Sequence, residues 1–152
     1  MFKVNRHIGR VIEARIFRLA DVEAVARYGV ALGRAIEKTD RPVLCADHRP
    51  VAIYAPPVAD QLVAMFTDLN KHWERVAILV ANTNATLAMQ LQRIVRSSNN
   101  PSRRVFFDAD EARNFLGETL DAQERARVAT FLTEKDSPPD SSGGGRRPLG
   151  KP

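Results

Sequence analysis

The sequence predicts an α/β domain with a mixed, mostly parallel sheet that starts with a β-hairpin. Three observations lead to this prediction. Two extended runs stand first in the chain, short apolar runs then alternate with segments of helical periodicity, and capping residues separate the two kinds of segment. Such alternation places helices between parallel strands and leaves the first strand as an antiparallel edge.

The hairpin and the first helix come from the first 42 residues. Residues 2–6 and 11–17 are extended, and Gly9 between them can adopt the positive φ of a turn. Asp21 then precedes a helical pattern that ends near Thr39 and Pro42. Its predicted inward stripe is Val22, Val25, Ala26, Gly29, Leu32, Gly33 and Ile36.

The same helix carries a second apolar or small face, made of Ala24, Tyr28, Ala31 and Ala35. One sheet cannot cover both faces. Either the last helix covers the second one, or a second copy of the chain does, and we predict a homodimer through the first helix.

The middle of the chain predicts a strand over residues 43–46, a second extended piece over 51–54, and a helix that opens with Pro56-Pro57. This helix has one apolar stripe, formed by Val58, Leu62, Met65, Phe66, Leu69 and Trp73.

The third quarter begins with the clearest strand, over residues 75–80, because this run is short, apolar and rich in branched side chains. The capping residues Asn82, Thr83 and Asn84 follow, and then a helix over residues 85–97. A strand over residues 103–107 comes next. Asp108 opens a helix that stops at Gly117, and an additional C-terminal helix runs from 121 to 133.

Domain organisation follows from a change of composition. Residues 1–135 have the composition of one globular domain, and a chain of 16.9 kDa can bury a sizeable core. Residues 136–152 contain Pro, Ser, Gly and Arg and almost no large apolar side chain, which predicts a disordered tail.

Composition also limits the functional classes. The single cysteine, Cys45, cannot close an intramolecular disulfide, and the longest uninterrupted apolar run, residues 76–81, is far shorter than the ~20 residues of a membrane helix. We therefore expect a cytoplasmic protein without a membrane span. His7, His48 and His72 lack metal-ligand spacing, and no glycine-rich phosphate loop is encoded, so we expect no metal and no cofactor.

Two groups follow predicted strand ends, where open α/β sheets often bind ligands. Asp47, His48 and Arg49 follow one strand, and Asn82, Thr83 and Asn84 follow the next. Turn formation and helix capping also explain these residues. Cys45 and His48 are three residues apart in an extended segment and point to opposite faces, which argues against a nucleophile and base pair.

The order of elements, with a hairpin first, resembles the SpoIIAA-like or STAS fold of anti-anti-sigma factors. Residues 75–80 are similar to the family's penultimate strand, and residues 104–116 to its closing strand and helix. In its phosphorylated members a serine stands at the start of the helix after the middle strand. This sequence has Ala55, Pro56 and Pro57 there, so the resemblance implies a domain without the usual phospho-switch.

Charge is concentrated in one stretch of the chain. The formal net charge is +5, and no acidic residue lies between Glu74 and Asp108, a stretch that contains Arg75, Arg93, Arg96, Arg103 and Arg104. Such a run is either a solvated face or a surface for carboxylates or phosphates. We expect no nucleic-acid partner, because aromatic residues do not interleave with these arginines.

These observations favour a non-enzymatic bacterial regulatory or scaffold domain that binds a protein partner with an acidic surface. We predict that Met89 lies outside the core and that the partner contacts one set of residues, namely Met89, Gln92, Arg93, Arg96, Arg103 and Arg104. The alternative is a carrier of a small molecule or an anionic lipid at the two groups that follow the strand ends.

Overall fold

The structure, a computed structural model, describes residues 1–134 and 136–138. The first half of the chain forms β1 (Phe2–Asn5), β2 (Val11–Ile16), α1 (Val22–Glu37), β3 (Val43–Asp47) and α2 (Pro56–Leu69), followed by a 3₁₀ turn at Asn70–His72. The second half forms β4 (Arg75–Leu79), α3 (Ala85–Ser98), β5 (Arg103–Phe106), α4 (Ala109–Gly117) and α5 (Ala122–Thr133). The predicted fold class is confirmed.

The five strands form one sheet in the order β1-β2-β3-β4-β5. β1 pairs with β2 in antiparallel orientation, and every other pair is parallel, so β5 is an edge strand. Gly9 turns the hairpin with a φ of +55°, as its position predicts.

Two apolar layers cover the sheet. Strand residues such as Ile12, Leu44 and Ile78 pack with α1, α2 and α3 on one face. Their neighbours along the strands, such as Val11, Cys45 and Leu79, pack with α4 and α5 on the other face. All of these strand positions are buried, because helices cover both faces of the parallel region.

The orientation of α1 differs from the predicted inward stripe. Ala24, Val25, Tyr28 and Leu32 are the buried residues of this helix, whereas Val22 and Val30 are exposed. The Tyr28 ring packs on the Phe2 ring, with their centroids 5.4 Å apart. The largest side chain of the helix thus faces the sheet, Gly29 faces Met65 of α2, and a smaller stripe with Val22, Val30 and Gly33 is turned outward. The prediction is confirmed for Val25 and Leu32 but was wrong for Ala24 and Tyr28, because it counted apolar positions without weighing their size.

Residues 51–54 form no strand. They lie in the loop between β3 and α2, where Asn84 Nδ2 donates to the backbone oxygens of Val51 and Ala52. The N-cap residue of α3 therefore satisfies backbone groups of this loop.

The C-terminal helix α5 has the capping box predicted at Asp121 and Glu124. Beyond it, Asp136 accepts hydrogen bonds from Lys3 and Arg15. The rest of the predicted tail, residues 139–152, lies outside the described residues.

Candidate protein-binding surface

Helix α3 has one buried and one exposed side. Asn84 caps it by accepting a hydrogen bond from the backbone N–H of Leu87, and Leu87, Leu91 and Ile94 are buried against the sheet. Met89 is 66% exposed, which confirms its predicted place outside the core. An exposed apolar side chain of this size is what a partner would cover.

Three polar side chains share the exposed side of α3 with Met89. Gln92, Arg93 and Arg96 are exposed, and none of them forms a hydrogen bond or ion pair with a described residue. Their donors are therefore free for an external acceptor. We call Met89, Gln92, Arg93 and Arg96 the α3 outer face.

A groove of about 230 Å³ runs along this helix on the side of α2. One wall comes from α2, with Pro56, Ala59, Asp60 and Val63, and the other from α3, with Gln90, Arg93, Ile94 and Ser97. The groove extends the α3 outer face with apolar surface.

The loop before α2 is fixed to α3 next to Met89. The Gln90 side chain accepts from the Tyr54 N–H and donates to the Tyr54 backbone oxygen, with both bonds 2.8 to 2.9 Å long. This loop presents Ile53, which is 51% exposed. Sequence analysis did not identify Ile53 as a surface residue, because it treated residues 51–54 only as a continuous apolar, extended piece.

Arg103 does not belong to this surface, contrary to the prediction. It is only 3% exposed, and its guanidinium lies 4.4 Å from the centre of the Phe66 ring. It donates to Asn70 Oδ1 and Ser98 Oγ, while its Nε has no hydrogen-bond partner among the described residues. Burial lowers the pKa of Arg103 to about 10. Its side chain fills space between the sheet and the helices, so a partner cannot reach it.

Arg104 is exposed, but on the opposite face of the sheet from Arg103, as the alternation of side chains along a strand requires. Its guanidinium lies 4.8 Å from the centre of the Phe115 ring of α4. Arg75 lies 4.7 Å from the same ring and donates to Glu118. The predicted set of six residues is therefore divided between α3, the interior and the α4 side of β5.

The polar residues at the strand ends, which we predicted as an alternative ligand site, mostly form contacts within the fold. Asp47 is buried and accepts from Arg15 and Arg49. Burial by itself would raise the pKa of Asp47, but the hydrogen bonds from Arg49, together with that from Arg15, outweigh burial and leave the pKa below its ordinary value. Asp47 is an internal counter-ion.

His48 and Cys45 face opposite sides of the sheet, as the sequence predicts. His48 is buried with Nδ1 2.8 Å from the Tyr54 hydroxyl, and burial lowers the pKa of His48 to about 4. Cys45 is buried under α4 and α5, and burial, followed by the charges of Asp47 and Glu13, raises the pKa of its thiol. A neutral thiol with no base beside it is a packing residue.

Of the remaining alternative residues, Asn84 caps α3 and holds the loop before α2, whereas Asn82 and Thr83 are exposed. Arg49 and Asn82 line one open pocket of about 520 Å³, together with Phe107 and Asp108. The structure thus brings together one residue from each predicted group.

Within residues 1–134 and 136–138, no group of three or more His, Cys, Asp or Glu side chains is arranged to hold a metal ion. In the same part of the chain, no helix is long and apolar enough to cross a membrane. No family model matches this chain, and neither a curated protein nor a solved structure does.

Proposed function

We propose that this chain is a non-enzymatic regulatory or scaffold domain that binds an acidic surface of a protein partner through the α3 outer face. The observation that carries the proposal is Met89, which is 66% exposed in the middle of side chains that have no internal partner. Burial of the thioether would supply apolar area, and Arg93 and Arg96 would supply orientation and a faster encounter with carboxylates.

The internal chemistry supports a binding role. The polar residues that sequence analysis considered for catalysis or ligand binding are mostly used inside the fold: Asp47 holds Arg15 and Arg49, and His48 holds Tyr54. The start of α2 is Pro56, preceded by Ala55. A hydroxyl that a kinase could modify is missing at this position, so the proposed binding does not depend on phosphorylation there.

We further propose that the chain is STAS-like. The features on which the resemblance rests, a hairpin first and alternating helices and parallel strands afterwards, are present in the sheet order β1-β2-β3-β4-β5. One fold can host many functions. A STAS-like fold would therefore not identify the binding surface, which needs its own test.

The test is site-specific photo-crosslinking in cells of the source organism. A photoreactive phenylalanine analogue replaces Met89 in one sample and Ile8, an exposed apolar residue of the β1–β2 turn, in a matched control. We expect a distinct adduct from position 89 that position 8 does not give, and an acidic surface on the protein captured. If both positions give the same adducts, or neither gives one, the assignment of the α3 outer face is wrong.

A second proposal concerns association with another copy of the chain through α1. The observation that favours it is the outward stripe, in which Val30 is 53% exposed beside Gly33 and an open groove against Leu69 of α2. A dimer would cover this stripe. We expect light scattering at ~100 μM to give twice the chain mass and Val30→Glu to restore the single mass; a single mass for the parent would contradict the proposal.

The alternative function, a carrier of a small molecule or an anionic lipid, rests on the pocket lined by Arg49, Asn82 and Phe107. Arg49 would meet the anionic group of a ligand and Phe107 its apolar part. Thermal-shift measurements with nucleotides, acyl-CoAs and fatty acids test it: a rise of several degrees with one class, lost in Asn82→Ala, favours the carrier. No shift with any class would leave the pocket without a ligand function.

A further inference from the structure

The free edge of the sheet, at β5, has backbone groups without partners. Val76 N–H donates to Ser102 O and Val80 N–H donates to Phe106 O, so the even-numbered residues of β5 direct their backbone towards β4. The N–H groups of Val105 and Phe107 and the backbone oxygens of Arg103 and Val105 point the other way. No described residue pairs with them. Such an edge can accept another strand.

A prearranged cation lies beside this edge on the α4 face. Phe115 holds the Arg104 guanidinium by a ring contact, yet Arg104 forms no ion pair with a described residue. The Phe106 ring packs on the same Phe115 ring, with their centroids 5.4 Å apart. The edge therefore offers a fixed positive charge that is backed by aromatic rings.

A second cation lies on the α3 face of the same edge. Gln90, Arg93 and Ser97 line the groove towards α2, which identifies the α2 side of α3. At 100° per residue, Gln92 lies on the other side of the helix, and Arg96 lies between Gln92 and Arg93, about 20° from Met89. The element on that side is β5, which α3 covers as the last helix of its layer.

We propose that an extended acidic segment of a partner protein adds to β5 as a sixth strand, with its carboxylates paired to Arg96 and Arg104. The proposal rests on the proposed function and names the form of the partner: backbone hydrogen bonds would give affinity, and the two cations, one on each face, would select acidic side chains.

Charge decides between the possible occupants. Pairing of two copies through β5 would bring two sets of Arg96 and Arg104 together, and like charges disfavour that contact. The C-terminal residues of the chain itself carry Arg146, Arg147 and Lys151 and are equally unsuitable. A segment with alternating carboxylates fits both faces, because alternate side chains of a strand point to opposite faces.

The test uses the full chain and a displayed library of 12-residue peptides. We expect the selected peptides to be enriched in Asp and Glu at alternate positions. Val105→Pro removes an outward N–H from the edge and should weaken their binding at least tenfold. The matched control is Val4→Pro, which changes the outward-facing residue of the opposite edge strand β1 and should leave binding within twofold.

Hydrogen exchange gives a readout that needs no substitution. On saturation with a selected peptide, the amide protons of Val105 and Phe107 should exchange at least tenfold more slowly, and Arg104→Glu should weaken binding at least tenfold. Unchanged exchange at both amides, or selected peptides without acidic enrichment, would overturn the proposal. If Met89 still captures a partner in that case, the proposed function stands and only the added strand is wrong.

Discussion

The face of the sheet under α1, α2 and α3 is closed by a large apolar layer, whereas the face under α4 and α5 combines a smaller apolar cluster with buried ion pairs. On the second face, Arg15 donates to Asp47 and to the backbone oxygen of Phe131, and Arg49 donates to the backbone oxygen of Leu132. These bonds satisfy carbonyl groups at the C-terminal end of α5.

The N-terminal half of α5 is held in a similar way. Glu124 accepts from the backbone N–H of Arg10, and Arg127 donates to the buried carboxylate of Glu13. The comparison shows that the short additional helix α5 is held to the sheet largely by ion pairs and charged hydrogen bonds. Removing one partner of such a pair costs free energy of folding, because it leaves the other charge buried and unpaired. The layer of three helices depends mainly on apolar area, and its buried guanidinium, Arg103, is held by the Phe66 ring and by neutral acceptors.

Phe131→Ala should have the largest effect of the substitutions considered. The ring is buried in the smaller cluster and lies 4.2 Å from the Arg15 guanidinium, so its removal leaves a cavity and uncovers a charge. We expect a loss of about 4 kcal/mol in the free energy of unfolding. Urea unfolding measures it, and a loss below about 1 kcal/mol would show that α5 contributes little to this face.

Asp47→Asn should be almost as damaging, because it leaves the buried Arg15 beside a neutral amide. The expected loss is about 3 kcal/mol. The matched control is Asp136→Asn, which changes the half-exposed partner of the same guanidinium and should cost less than about 1 kcal/mol. Equal losses in the two variants would contradict the distinction between buried and surface pairs.

The two faces should also respond differently to acid. His48, beside Tyr54 in the larger layer, has a folded pKa of about 4, below its ordinary value. Between pH ~6.5 and ~4 the unfolded chain binds a proton at His48 that the folded chain does not, so stability falls as the pH falls, by about 3 kcal/mol. The contribution of Asp47, whose pKa is lowered, is complete above pH ~4 and is lost only below it.

The measurement is urea unfolding from pH 7 to pH 4. His48→Gln keeps a polar partner for Tyr54 and should flatten the curve over this range. A curve as steep as that of the parent would show that His48 is not the group that titrates.

The smallest expected difference in stability is between variants of the two adjacent arginines of β5, Arg103 and Arg104. Arg103→Ala leaves Asn70 and Ser98 without a donor and should cost about 2 kcal/mol, whereas Arg104→Ala should change stability by less than about 0.5 kcal/mol. Thermal unfolding of both variants checks this, and a larger effect at Arg104 would reverse the assignment of interior and surface.

Periodicity and capping residues in the sequence were sufficient to predict the strands, the helices and the antiparallel edge of the sheet. It also placed Met89 outside the core, because Leu87, Leu91 and Ile94 define the opposite side of α3. Periodicity could not predict which of Arg103 and Arg104 is buried. The buried guanidinium needs Phe66 and Ser98 beside it, and these residues come from other elements of the fold.

The strand ends illustrate the same limit. Asp47, His48 and Arg49 form a group that turn chemistry and ligand chemistry explain equally well. Their internal roles follow from Arg15 and from the carbonyl of Leu132, which lie 32 and 83 residues away from their partners. Long-range ion pairs of this kind leave no periodic signal in the sequence.

The central claim is that the α3 outer face binds an acidic partner, and its most direct test is the affinity for the protein captured at position 89. Arg93→Glu with Arg96→Glu should weaken binding at least tenfold, leave the thermal unfolding temperature unchanged, and make the remaining affinity less sensitive to salt. Arg27→Glu with Arg34→Glu changes the net charge equally, on the exposed side of α1, and should have much less effect. Equal affinity of the α3 variant and the parent, or equal losses in the two variants, would contradict the account.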